Sequence, residues 1–160
     1  MFLILLEIFP APDEIEVISL KGEAKETVFW YGCLAGSVGR RATSLPAYIS
    51  FAQEAKAEAP VGEIDQFIFD PDPALIRAGL LGAFAEEHGL HVLDPMIGYL
   101  SGPKPLESPF LAGFKILTHE TLDPRKMKAK MREFKVGRLL IRRRGIAEGP
   151  TALEKRFLPK

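Results

Sequence analysis

The chain has one cysteine, Cys33, and one tryptophan, Trp30, in 160 residues. A single cysteine excludes an internal disulfide and suits a reducing compartment. Beside Trp30 and Tyr31 it is expected to be a small filler of the core. Long apolar runs are missing too. The opening MFLILLEIFP carries Glu7, has no basic residue ahead of its apolar stretch, and lacks a small-residue cleavage site, so it does not read as a secretory leader. It is also far short of the ~20 apolar residues that cross a bilayer. It is expected to be a core element, or the point where a longer chain was cut, in a cytoplasmic protein without membrane contact. Internal repeats and low-complexity tracts are absent.

The chain is 47% hydrophobic and 26% charged, enough to bury a core within a soluble domain. Its formal net charge is zero, yet the charge is divided. Residues 121–160 hold thirteen Lys or Arg against four Asp or Glu, a net +9, and the first 120 hold eight against seventeen, a net −9. A basic C-terminal lobe attracts anions, or an acidic protein surface.

Periodicity outlines the elements. In EIEVISL (14–20), Ile15, Val17 and Ser19 alternate with Glu16, Ile18 and Leu20; KGEAKE supplies a turn, and TVFWY returns, which predicts a hairpin. The glycine-rich GCLAGSVGRRATSLP reads as a loop leading to a short strand near 43–45. Residues 47–62 are ambiguous, with helix formers stopped by PVG. FIF is a strand. Asp72 is a helix cap, Pro73 the first helical residue and Gly89 the helix end, with Ile76, Leu80, Ala83 and Phe84 facing the core. LDPMIGYLSGPKPLESP is loop around an extended piece at 97–100. The remainder alternates: strand GFKILTHE, a helix started by Asp123 and Pro124 with an apolar stripe of Met127, Met131 and Phe134, strand GRLLIRR, and a helix opened by Pro150 with Leu153 and Phe157 inward. The class is therefore α+β, a ferredoxin-like arrangement of small sheets covered by helices.

Candidate chemistry is sparse. His88, His91 and Asp94 do not share helical spacing, because Gly89 intervenes, and they read as helix-end and surface residues; His119 is isolated. No metal site and no catalytic residue is assigned. Gly32, Gly36 and Gly39 fit neither the P-loop nor the dinucleotide spacing, although Arg40 and Arg41 behind them offer a secondary anion contact. The basic lobe is the main signal. Arg125, Lys126, Lys128, Lys130 and Arg132 lie off the apolar stripe of their helix, and Lys135, Arg138, Arg142, Arg143 and Arg144 follow. In a strand, Leu139, Ile141 and Arg143 would face one way, and Arg138, Leu140, Arg142 and Arg144 the other.

Taken in order, EIEVISLKGEAKETVFWYG, RRATSLP, FIFDPDPALIRAG, LDPMIGYLSG and FKVGRLLIRRRG resemble the THUMP-like C-terminal region of class I S-adenosylmethionine-dependent methyltransferases, across nearly the whole chain. The resemblance implies a ferredoxin-like segment at 1–66 and a THUMP-like segment at 67–160. It also implies that Asp70, Asp72, Arg77, Arg138, Arg142, Arg143, Arg144 and Gly145 belong to the family's pattern. Nothing in the sequence matches the glycine-rich cofactor loop, the ribose-binding acid or the Asn/Asp-Pro-Pro-aromatic loop of such enzymes. FDPDP departs from that loop, with Asp72 at the second proline position and no aromatic residue after it.

The expectation is a non-catalytic module that helps a methyltransferase engage RNA. S-adenosylmethionine would enter only through a class I methyltransferase domain in cis or in trans. The expected contacts are Lys126, Lys130, Arg138, Arg142, Arg143 and Arg144, with Arg40 and Arg41 secondary. Aromatic residues are few in the basic lobe (Phe114, Phe134 and Phe157), which favours structured RNA read through its backbone. The alternatives are a protein-interaction module docking a separately encoded methyltransferase domain or the acidic part of another copy, and a truncated methyltransferase remnant.

Overall fold

The computed structural model of the chain describes residues 10–54, 58–142 and 149–157. The chain is α+β, with two small sheets and a few short helices. It divides into two compact units between Lys115 and Ile116. The line at 66/67 expected from the sequence falls between the named strands of two sheets, both inside the first unit.

In the N-terminal unit, β1 (Glu14–Leu20) and β2 (Glu23–Trp30) form the expected hairpin. Its turn is the pair Lys21 and Gly22, both at positive φ, the geometry that a tight hairpin needs and that glycine adopts without strain. β1 also pairs in parallel with β3 (Arg40–Leu45), and β3 pairs antiparallel with β4 (Ile49–Gln53), giving the order β2-β1-β3-β4. The ambiguous stretch after residue 47 thus begins as a strand; residues 55–57 within it lie outside the described ones.

The second sheet has the order β6-β7-β5-β8 and is antiparallel throughout, with β5 at Phe67–Pro71, β6 at His91–Val92, β7 at Leu100–Gly102 and β8 at Leu111–Lys115. Between β5 and β6 the sequence predicts one helix, and the chain makes two: α1 (Pro73–Arg77) and α2 (Leu81–Glu87). Each ends in a glycine at positive φ, Gly79 and Gly89, followed by backbone bonds from Leu80 N–H to Leu75 O and from Leu90 N–H to Ala85 O. These are paired left-handed caps that terminate a helix. The break rotates Ile76 out to 38% exposure, whereas Leu80, Ala83 and Phe84 are buried as expected. Two further expectations change in detail. The extended piece at 97–100 becomes a strand only from Leu100, and the strand through GFKILTHE stops at Lys115. Cys33 is exposed, in a 3-10 turn at Gly32–Leu34, and fills no core.

One core joins both sheets of this unit: Val17 and Ala42 from the first, Phe69, Val92 and Leu100 from the second, with Ala74, Leu75, Leu80 and Phe84 of the helical segment between them. Asp72 sits within this junction at 6% exposure. Its Oδ1 accepts the Ala74 N–H at 2.7 Å, the expected cap, and its Oδ2 accepts the hydroxyl of the fully buried Ser19 on β1 at 2.8 Å. Its own N–H donates to Phe110 O at 2.8 Å. A residue expected only to start a helix therefore also ties that helix to the other sheet.

Asp72→Ala removes a helix cap and a charge-assisted bond, leaving the Ser19 hydroxyl with its longer contact to Thr43 O at 3.4 Å. The expected loss is about 3 kcal/mol of unfolding free energy, read from urea midpoints of the full chain. Asp72→Asn, which keeps the geometry but not the charge, is expected to lose about 1 kcal/mol.

Candidate nucleic-acid interface

In the C-terminal unit, α3 (Pro124–Glu133) is set by local signals. The Asp123 carboxylate accepts the Arg125 N–H at 2.7 Å, and Pro124 occupies the first turn. Lys135 takes a positive φ, and the bonds from Val136 N–H to Met131 O and from Lys135 N–H to Arg132 O close the helix. Met131 is buried with Leu153 and Phe157 of α4 (Pro150–Phe157), and Met127, Leu139 and Ile141 pack on them. The outermost residue of the predicted stripe, Phe134, is 41% exposed.

The expected strand GRLLIRR is not formed over its described part, 137–142, and no strand among the described residues pairs with it. The expected division of its faces nevertheless appears. Leu139 and Ile141 are half-buried on the small core, while Arg138, Leu140 and Arg142 are exposed. Alternation of apolar residues requires only an extended backbone over an apolar surface, and a ladder requires a partner. Arg143, Arg144 and Gly145 lie outside the described residues.

Lys126 is exposed on α3, and Lys130, one turn further along, is half-buried. Lys130 Nζ donates to Glu133 Oε2 at 2.9 Å and lies 6.0 Å from the centre of the Phe134 ring. The Glu133 hydrogen bond and charge hold its ammonium above the usual lysine range. Lys155 and Arg156 in the last turn of α4 add cations to the same unit, and sequence reasoning passed over them. They occupy the C-terminal turn, where helix dipoles favour cations for structural reasons alone. Arg125 and Lys126 stand in the first turn of α3, where the dipole disfavours them by about 0.3–1 kcal/mol each.

Arg40 and Arg41 belong to the N-terminal unit, and their surroundings differ from a phosphate loop. Arg40 is half-buried at the start of β3. Arg41 Nε donates at 2.5 Å to Glu14 Oε1, whose side chain is 1% exposed against 33% for Arg41. The other carboxylate oxygen of Glu14 accepts the Gly36 N–H, and Asp13 Oδ2 accepts the Gly32 N–H at 2.7 Å. The glycine loop thus gives these two amides to carboxylates of the protein itself. Glu16 is buried as well, accepting the Trp30 indole N–H at 2.9 Å and the Thr43 hydroxyl at 2.5 Å. Burial alone would push the Glu14 carboxyl up. The Arg41 hydrogen bond, the Gly36 amide and the Arg41 charge outweigh it and hold the group below the usual carboxylate range.

His88 and His91 serve the framework, and His119 is exposed. His88 stacks on Phe84 with ring centres 4.1 Å apart, and His91 Nε2 lies 2.6 Å from Glu63 O. Asp70 is half-buried on β5 and Arg77 is exposed at the end of α1.

No protein-family model matches the chain. It is 38% identical over 145 residues to uncharacterized S-adenosylmethionine-dependent methyltransferases of two Mycobacterium tuberculosis strains, CDC 1551 / Oshkosh and ATCC 25618 / H37Rv. In each case the match covers 90% of this chain and 40% of the relative, so the chain spans well under half the length of the curated proteins it matches. The fold is shared with the crystal structure of a candidate methyltransferase from Porphyromonas gingivalis W83, with a TM-score of 0.73 at 21% identity, over 96% of this chain and 41% of that one.

Because the Glu14 carboxyl is depressed in the folded state, its contribution to stability is complete above the unfolded glutamate value and is lost as pH falls through the lower, folded one. Arg41→Leu is expected to lower stability at neutral pH by about 1.5–3 kcal/mol, towards the lower end because the guanidinium is a third exposed. The gap between wild type and variant should narrow as pH falls below the usual glutamate range, as shown by urea melts across the pH range.

Proposed function

We propose that this chain is the non-catalytic, RNA-engaging portion of a class I S-adenosylmethionine-dependent methyltransferase, with a THUMP-like segment at 67–160 whose basic C-terminal lobe holds the phosphate backbone. The observation that carries this reading is the concentration of cations at the end of the chain, a net +9 over residues 121–160, with Lys126, Arg138 and Arg142 exposed. The relatives' names support the link to methyl transfer, and their greater length leaves room for a catalytic domain that would supply the cofactor in cis or in trans. Phosphate contacts by such side chains release counterions and bind RNA with little regard to sequence.

A protein-docking reading draws on a different feature. The C-terminal unit exposes Leu117 at 68%, Leu122 at 50% and Leu140 at 75%, side chains that favour an apolar partner surface over phosphate. A mass measurement across protein concentrations, with and without a methyltransferase domain from the relatives, distinguishes it.

The RNA reading predicts that affinity for a hairpin RNA falls on the order of a hundredfold between 50 and 200 mM salt if four phosphates are engaged. Arg138→Ala combined with Lys126→Ala is expected to lower the slope of log affinity against log salt by about two. Filter binding at several salt concentrations checks both. Absent binding, or a slope unchanged in the double variant, removes the proposal.

A further inference from the structure

The N-terminal unit contains a groove of about 370 Å³ over β5 and β8, lined by Phe67, Phe69, Leu106, Glu107, Gly113 and Lys115 among others. The strand register explains its make-up. Phe67 lies opposite Lys115, and Phe69 opposite Gly113, so these four positions share one face of the sheet. The two phenylalanine rings are nearly parallel, with an interplanar angle of 22° and centres 6.5 Å apart. Phe69 is sealed at 1% exposure, whereas Phe67 is only half-buried. A Cβ at Gly113 would come within 3.1 Å of the Phe69 ring, so glycine leaves the floor of the groove without a side chain. Glu107 and Lys115 are exposed.

We propose that this groove binds a single unpaired nucleotide, with the base on the Phe67 ring, the phosphate at the Lys115 ammonium, and Glu107 accepting hydrogen bonds from an exocyclic amino group. Each part of the lining answers a part of that ligand. A half-buried ring on a sheet face offers a stacking platform to any base. The lysine supplies a point charge for a phosphate, and the carboxylate accepts from adenine, cytosine or guanine but finds no amino group on uracil. The volume lies within the range of small-molecule pockets, about 300–1,000 Å³. The inference deepens the RNA reading and rests on it for choosing a nucleotide among planar anions. It also supplies the aromatic surface that is scarce in the basic lobe.

Titration of the 15N-labelled full chain with adenosine, guanosine and uridine 5′-monophosphates tests it by NMR. Amide shifts are expected at Phe67, Glu107, Gly113 and Lys115, with dissociation constants on the order of millimolar, as befits one stacked base and one ion contact. Phe67→Leu should weaken binding about 5- to 100-fold. Lys115→Ala, at an exposed position that does not threaten folding, should weaken the monophosphates about fivefold and leave adenosine unchanged. Glu107→Gln should narrow the gap between adenosine and uridine monophosphates. No shift in the groove overturns the proposal, and so does an equal response to inorganic phosphate alone. Because the ligands are mononucleotides, this result is independent of the hairpin-RNA assay, so failure here and failure of the RNA reading are told apart.

Discussion

The Asp72 carboxylate is the point through which the two sheets of the N-terminal unit are held in one arrangement. One oxygen caps α1, the other receives the Ser19 hydroxyl from β1, and the backbone N–H reaches Phe110. Apolar contacts such as Val17 and Ala42 against Leu75 supply most of the cohesion but tolerate sliding. A buried polar group is satisfied in few positions, so it selects one arrangement among the many that would bury similar area. The register of β1 shifts between Ile18 and Ser19, immediately before the residue that meets Asp72. The extra residue is Lys25 on β2, and β1 keeps its alternation, so Ser19 faces the junction on the same side as Val17.

β1 repeats this device along its length. Glu14 engages Arg41 and the Gly36 amide, Glu16 engages Trp30 and Thr43, and Ser19 engages Asp72. A central strand with two buried glutamates would be costly if either carboxylate lacked partners. Neighbouring elements provide them: the strands on both sides, and the glycine loop for Glu14. The glycines and arginines that looked like a secondary anion site are thus partly committed to protein carboxylates. Arg41 in particular has its charge answered inside the unit.

What the sequence revealed divides by the range of the interaction. Asp72 with Pro73, Asp123 with Pro124, and Pro150 all mark helix starts, because capping involves residues two or three apart. The hairpin is legible for the same reason, although its turn is the pair Lys21 and Gly22 and not the whole of KGEAKE, whose last four residues belong to β2. The break at Gly79 was not, since apolar spacing continues through it and one glycine within a helix costs only about 1 kcal/mol. The burial of Glu14 and Glu16 depends on Arg41 and Thr43, each 27 residues away, and no local pattern announces such a partner. The extended segment at 137–142 is the converse case. Its alternation is legible in the sequence and its lack of a ladder is not, because hydrogen-bond partners are a property of the whole fold.

The same distinction separates the two candidate binding features. Lys126, Arg138 and Arg142 were visible as a charge run, since cations crowded along the chain remain crowded in any fold. The groove depends on cross-strand register, Phe67 against Lys115 and Phe69 against Gly113, with positions more than forty residues apart in sequence meeting on one sheet face. Their contributions to recognition also differ in kind. Cations on an exposed surface respond to phosphate density and leave the choice of sequence open. A ring, a lysine and a carboxylate around one small volume would suit an unpaired base that carries an amino group. A module that combined them would draw its affinity from the C-terminal unit and its discrimination from the N-terminal one. Only the first of these contributions would decline steeply with salt, since stacking and hydrogen bonds to a base release few counterions.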